Sequence, residues 1–240
     1  KNLQIEFDEA LQQASATSSK TSENPATIEE VLGLSQAIYD TKNALNGEQR
    51  LATEKSKDLK LIKGLKDLNK AQLEDVTNKV NSANTLTELS QLTQSTLKLN
   101  DKMKLLRDKL KTLVNPVKAS LNYRNADYNL KRQFNKALKE AKGVLNKNSG
   151  TNVNINDIQH LLTQIDNAKD QLNGERRLKE HQQKSEVFII KELDILNNAQ
   201  KAAIINQIRA SKDIKIINQI VDNAIELNDA MQGLKEHVAQ

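Results

Sequence analysis

The phrase "NALNGEQRL" occupies Asn43 to Leu51, and a near copy, "DQLNGERRL", occupies Asp170 to Leu178. Gly47 and Gly174 stand 127 residues apart, and at the same offset Phe7 meets Phe134, Leu11 meets Leu138, Ile28 meets Ile155 and Ile38 meets Ile165. Past the phrase the offset becomes 128, with "KGLKDLNKAQ" at Lys63–Gln72 facing "KELDILNNAQ" at Lys191–Gln200 and Leu99–Asp101 facing Leu227–Asp229. One inserted residue accounts for the change. A tandem repeat argues for a unit strung or stacked many times rather than for one catalytic globule.

Composition narrows the class. With 28% charged and 2% aromatic residues, the 240-residue chain has material for several thin helical cores rather than one thick one. Two prolines and seven glycines leave little for hairpin turns, and the abundance of Lys, Leu, Gln, Glu and Ala favours helix, so an all-α fold is expected. The net charge of +5 is far from the concentrated basic surface of a nucleic-acid binder. With no cysteine the chain is indifferent to its redox compartment, which is compatible with secretion. No signal peptide, membrane-length apolar run or initiator Met is present, so the sequence reads as an excerpt of a longer protein, without membrane insertion of its own.

Apolar residues at Ile155, Ile158, Leu161, Leu162, Ile165, Ala168 and Leu172 follow the three-and-four spacing of one helix face, as do Ile28, Val31, Leu34, Ile38 and Leu45. Thr27 with Glu30 forms a capping-box pattern, and Asn154 stands where Thr27 stood. Amphipathic helices over Phe7–Thr17 and Tyr123–Leu145 precede them, ended by the polar linkers "SSKTSENP" and "NKNSGTNVN". The remainder of each repeat reads as three helices: Leu51–Leu68, Ala71–Ser82 and Leu86–Val114, matched by Leu178–Leu196, Ala199–Ala210 and Ile214–Val238. Asn69 with Gln72, and Asn197 with Gln200, supply caps for the middle helices. Asn115–Pro116 is expected to break the long third helix and start a new bundle with a short helix from Val117 to about Asn122.

The opening phrase then falls at a joint, because "NGEQR" and "NGERR" hold no apolar residue while one core ends at Leu45 or Leu172 and the next begins at Leu51 or Leu178. With no proline and no Ser or Thr cap after it, an unbroken helix shared by both bundles is expected, since an exposed helical glycine costs only about 1 kcal/mol. On that reading Gly47→Ala preserves the joint and Glu48→Pro kinks it. The expected modules are residues 1–47, 48–115, 116–174 and 175–240, three-helix bundles joined end to end into an elongated rod. Scattering would give such a rod a radius of gyration of about 35 Å, against ~18 Å for a compact chain of this size.

These residues resemble a known arrangement, the alternating FIVAR and GA modules of the giant staphylococcal extracellular matrix-binding proteins. The carriers are the helix at Ala137–Lys142, the "ALNGEQRL" and "QLNGERRL" joints, "LNKAQ" and "LNNAQ", and the endings "LNDKMKLL" and "LNDAMQGL". Residues 1–47 and 116–174 are then FIVAR-like, and 48–115 and 175–240 GA-like. The resemblance implies a monomeric spacer in a cell-wall-associated surface protein, with adhesion to host matrix such as fibronectin. GA modules elsewhere bind serum albumin, which is the alternative partner.

Catalytic chemistry finds no foothold. His160, His181 and His237 lie in different expected helices without an i to i+4 partner, so they read as surface residues rather than metal ligands. Glu29 with Glu30 and Asp101 with Asp108 read as solvated helix faces, and no phosphate loop or nucleophile elbow occurs. No enzyme activity, cofactor or nucleic-acid partner is expected. The basic run Asp101–Lys118 could seat an anionic wall polymer or a membrane surface, but it reads rather as a core stripe of Met103, Leu106, Leu110 and Leu113 with solvated lysines, and its counterpart "DAMQGLKEHVAQ" has lost most of that charge, against a repeated anion-binding role. The aromatics are too scattered to stack bases. Phe7 and Phe134 are expected in the cores, each costing about 3 to 5 kcal/mol when cut to Ala.

Overall fold

In a computed structural model, residues 2–21 and 23–238 are described; Lys1 and Gln240, the outer bounds of the first and last expected modules, and Ser22 in the first linker lie outside them. Eleven α-helices and no strand occur among the described residues. The chain divides into two compact units, one of residues 1–64 and 76–94, the other of residues 65–75 and 95–240.

The first unit opens with a helical hairpin, α1 (Leu3–Ser18) and α2 (Ile28–Ala44). The start of α2 is fixed as its sequence indicated: Thr27 accepts from the Glu30 amide at 3.1 Å and the Glu30 carboxylate accepts from the Thr27 amide at 3.0 Å. Next comes α3 (Gly47–Lys63), followed in this unit by the latter part of α4 (Lys70–Ser82) and the start of α5 (Leu86–Ala119). Ile62, Val80 and Leu89, one from each of α3, α4 and α5, are fully buried. Lys55 donates to the Asn81 carbonyl at 2.7 Å and Thr93 to Asp58 at 2.8 Å, tying α3 to the other two helices.

The second unit holds two cores. The larger joins Met103, Leu106 and Leu110 of α5 to Phe134 and Leu138 of α7 (Tyr128–Val144) and Ile158, Leu162 and Ile165 of α8 (Ile155–Asp170). Its α8 is set by a capping box in which Asn154 accepts from the Asp157 amide. The smaller core gathers Leu178 and Ile189 of α9 (Gly174–Glu192), Ile204 and Ile208 of α10 (Asn198–Ala210), and Ile217 and Ala224 of α11 (Ile214–Val238). The lysines of the basic run surround a buried stripe of Met103, Leu106 and Leu110, as their spacing indicated.

Four expectations change. The joints are not continuous helix: α2 stops at Ala44 and α3 starts at Gly47, while α8 stops at Asp170 and α9 starts at Gly174. Glu48 therefore lies in a first turn, whose amides have no intrahelical acceptor to lose, so Glu48→Pro carries no kink. Pro116 does not break its helix, because α5 runs on to Ala119. Val114 and Val117 on either side pack against the large core, and that burial outweighs the missing donor three residues before the helix ends. The helix expected from Tyr123 instead divides into α6 (Leu121–Arg124) and α7, with Asn125–Asp127 between them. Finally, Phe134 is wholly buried while Phe7 is only half-buried, so the two are not equal core residues.

Candidate functional site at the module joints

The second copy of the phrase, "NGERR", builds a joint out of polar side chains. Gly174, the first residue of α9, is buried beneath α6. A Cβ there would stand 2.6 Å from the Leu121 carbonyl oxygen and 2.7 Å from the Ala126 amide nitrogen, and closer still to the Asn122 carbonyl. Since no described glycine has a positive φ, it is this approach of backbone to backbone that demands glycine here. Around it, Asn173 accepts from the Asp127 amide at 3.1 Å and donates to the Asp127 carboxylate at 2.6 Å. The Glu175 amide donates to Asn122 Oδ1 at 3.2 Å. Arg177 donates to the Asn125 carbonyl at 2.7 Å and pairs with Asp127 at 2.9 Å.

Asn125 is the pivot of this joint. It is buried, donates to the Lys212 carbonyl at 3.1 Å, and accepts from the Ile214 amide at 3.0 Å. One side chain thus holds the α6–α7 link against the α10–α11 link, and Leu121 adds an apolar contact to the smaller core. Such a group is costly to bury unless its partners are met, and here they are.

A second joint uses the "LNKAQ" motif. Asn69 and Gln72 form the expected capping box, exchanging bonds of 2.9 and 3.0 Å, but they also reach outward. Asn69 donates to the carbonyls of Val144 at 3.0 Å and Thr151 at 2.9 Å, and Gln72 to that of Val153 at 3.0 Å. The Lys70 amide donates to the Lys147 carbonyl at 2.8 Å, and the Lys147 ammonium to the carbonyls of Leu68 and Lys66. Partial burial and the Arg107 guanidinium push the Lys147 pKa below its usual value. Both Asn69 and Gln72 are fully buried by the α7–α8 loop, whereas the equivalent Asn197 is exposed although its own capping box is intact.

The first copy of the phrase presents the same residues without the partner. Nothing lies within 4 Å of a Cβ built on Gly47. Beside it a groove of about 620 Å³ opens between Asn46, Arg50 and Glu54 of one wall and Leu86, Ser90 and Thr93 of the other.

The histidines are not brought together. His160 on α8 is exposed, His181 on α9 bonds Asn218 at 2.6 Å, and His237 on α11 bonds the Gly233 carbonyl at 2.7 Å. Glu30 is occupied by its cap and by Lys20 at 2.9 Å, which lowers its pKa chiefly through the lysine hydrogen bond. Among the described residues no three His, Cys, Asp or Glu are placed to hold a metal, and no helix is long and apolar enough to cross a membrane. Sequence reading found Asn69 and Gln72 only as caps and did not single out Asn125, Asn173, Arg177 or Lys147. The recurrence of "NG" and "R" at matching positions of both phrases was a signal for Asn173 and Arg177 alone.

A FIVAR domain model matches residues 1–46 and 102–173, and a GA module model matches residues 48–102 and 175–230. The GA-to-FIVAR boundary thus falls inside α5, so the shared helix lies there and not at the quoted phrase. The extracellular matrix-binding protein EbhA of Staphylococcus aureus (strain Mu3) is 32% identical over 232 residues, which cover 97% of this chain and 3% of that protein. EbhA of strain Newman is 30% identical over 225 residues, covering 94% of this chain and 6% of the relative. The chain therefore spans a small fraction of the curated relatives it matches. The crystal structure of the 756–1003 domain of Staphylococcus aureus EbhA superposes with a TM-score of 0.80 at 24% identity, covering 93% of this chain and 90% of that one, a likeness of fold. Two module types alternating in register across nearly the whole sequence place the chain in the FIVAR and GA repeat family of staphylococcal extracellular matrix-binding proteins.

Proposed function

We propose that this chain is a non-enzymatic structural repeat of a bacterial cell-surface adhesin, organised as modules 1–47, 48–115, 116–174 and 175–240. It spaces adhesive surface and contributes to binding of a host matrix protein such as fibronectin. The observation that carries the reading is the joint at Asn125. Buried polar groups whose hydrogen bonds are all met across a module boundary serve to fix one module against the next, a mechanical role rather than a chemical one. That the relatives are extracellular matrix-binding proteins supports the choice of partner.

The test is a titration of the chain against fibronectin and serum albumin by surface plasmon resonance. Saturable fibronectin binding is expected. Silence towards both ligands leaves a spacer and removes the adhesive half of the proposal. Albumin affinity of about 1 µM or tighter, with none for fibronectin, replaces it by an albumin-binding role for the GA modules.

A further inference from the structure

Asn173 and Gly174 carry a chemistry that the joint suppresses. In an Asn–Gly pair no Cβ shields the glycine amide nitrogen, so it can attack the Asn side-chain carbonyl carbon and close a cyclic imide. The closed joint opposes this at every atom involved. The Asn173 side-chain oxygen accepts from the Asp127 amide at 3.1 Å, and its nitrogen, which would have to leave, donates to the Asp127 carboxylate at 2.6 Å. At ψ 15° the Asn173 backbone turns the Gly174 nitrogen away from that side chain, whereas ring closure needs the two on one side. The missing rotation swings the start of α9, and Gly174 there is buried against the backbone of Leu121, Asn122 and Ala126. Ring closure therefore waits on the joint opening.

We infer that Asn173–Gly174 is a self-modification site, masked while the joint is closed and reactive once it opens, whose product keeps the joint from closing again. The Gly174 nitrogen gives its proton to solvent and bonds to Asn173 Cγ, the Cγ–Nδ2 bond breaks, and the amide leaves as ammonia. Water then opens the imide at either carbonyl. One product is aspartate; the other is isoaspartate, with the main chain routed through Cβ and Cγ. Neither fits the closed joint. An aspartate at this position sets a carboxylate against Asp127 where a donor stood, and Arg177, 2.9 Å from Asp127, is left to offset two negative charges. Isoaspartate inserts a carbon into the main chain beside Gly174, where even a Cβ would press on the Leu121 carbonyl oxygen at 2.6 Å. The link between α6 and α9 then stays open after the event that opened it has passed.

The test is mass-spectrometric peptide mapping of the intact chain held folded in mildly alkaline buffer, beside a synthetic peptide of residues 170–178. Gly47→Ala serves as the parent background, because it silences the other Asn–Gly pair of the chain. Conversion at Asn173 is expected to be at least about tenfold slower in the folded chain than in the peptide, as for a joint open a tenth of the time or less. Asp127→Ala removes the carboxylate from the joint and leaves Asn–Gly intact, so conversion should rise at least about threefold over the folded parent, with circular dichroism checking helix content. Chain converted in guanidinium chloride and then refolded should show faster amide exchange at Glu175 than chain taken through the same steps without conversion. Conversion of the folded parent at the rate of the peptide overturns the masking. Asp127→Ala at or below the parental rate overturns the part given to Asp127, and unchanged exchange at Glu175 in the converted chain overturns the lock.

Discussion

Gly174→Ala tests the joint most directly, and Gly47→Ala is its internal control. The new methyl carbon at 174 meets only backbone: the Leu121 carbonyl at 2.6 Å, the Ala126 amide at 2.7 Å and the nearer Asn122 carbonyl. No rotamer change relieves contacts of that kind, so α6 must retreat from α9 by roughly 1 Å to restore ordinary separation. Overpacking of this order costs about 1–3 kcal/mol. The retreat also stretches the bonds from the Glu175 amide to Asn122 and from Arg177 to the Asn125 carbonyl, each worth about 0.5–1.5 kcal/mol. The expected loss is ~2–4 kcal/mol after the small helix-propensity gain of Ala is set against it. At 47 the same methyl meets nothing, so stability should be unchanged or raised by up to about 1 kcal/mol. Urea unfolding followed by circular dichroism measures both. Amide exchange reports the site itself, since Glu175 and Ile214 should lose protection in Gly174→Ala and keep it in Gly47→Ala. Equal stability of the two variants, with exchange at Glu175 unaltered, would refute the packing of α6 on α9.

Phe134→Ala should cost about 3–5 kcal/mol, because the ring is fully buried and packs edge-on against Tyr123 at 5.9 Å, while Phe7→Ala should cost less than half as much. Thermal melts of the two variants decide the ranking. Asn69→Ala removes a cap and two donors to the α7–α8 loop and should cost about 2–3 kcal/mol, whereas Asn197→Ala, which caps without those contacts, should cost about 1. For acid stability, Arg209 holds the Glu186 pKa below its usual 4.5, first through its hydrogen bonds and then through its charge. A carboxylate whose folded pKa is depressed contributes stability that is complete above about 4.5 and is lost as pH falls through the folded value. Glu186→Gln should therefore flatten the pH dependence of melting in that window and leave the variant and parent alike at lower pH.

What could be read from the sequence was whatever its own neighbours determine. The cap pairs Thr27–Glu30, Asn69–Gln72 and Asn197–Gln200 are three residues apart, and each closes as its spacing indicated. The stripe Ile158–Leu162–Ile165 is one helix face and is buried as one. What escaped was set by residues far away in the chain. The packing that demands glycine at 174 comes from Leu121 and Asn122, more than 50 residues earlier, whereas the helix break itself recurs at Gly47 without them. Pro116 gives a local reason to stop, and the packing of Val114 and Val117 overrules it. Nothing near Asn125 marks it, because its partners Lys212 and Ile214 are nearly 90 residues on.

The apolar stripes of repeated modules are alike, so they cannot by themselves specify which face meets which. Polar groups that must find one set of partners can, and Asn125 is where this is testable. Asn125→Leu keeps a similar volume and exchanges a buried amide for hydrocarbon, a change that is neutral or stabilising wherever apolar packing alone holds a contact. Here it strips the acceptor from the Ile214 amide and the donor from the Lys212 carbonyl, leaving both facing an alkyl group. Each unmet group costs about 1–3 kcal/mol when water is excluded, against a gain of about 1–2 from the added apolar burial. A net loss of ~1–3 kcal/mol is expected, together with faster amide exchange at Ile214 and unchanged exchange at Ile158 in the neighbouring core. The locality separates a broken joint from a generally weakened module. If Asn125→Leu melted at or above the parent and kept Ile214 protected, the joint would be held by Leu121 and its apolar neighbours, and the polar residues of the phrase would have no part in fixing it.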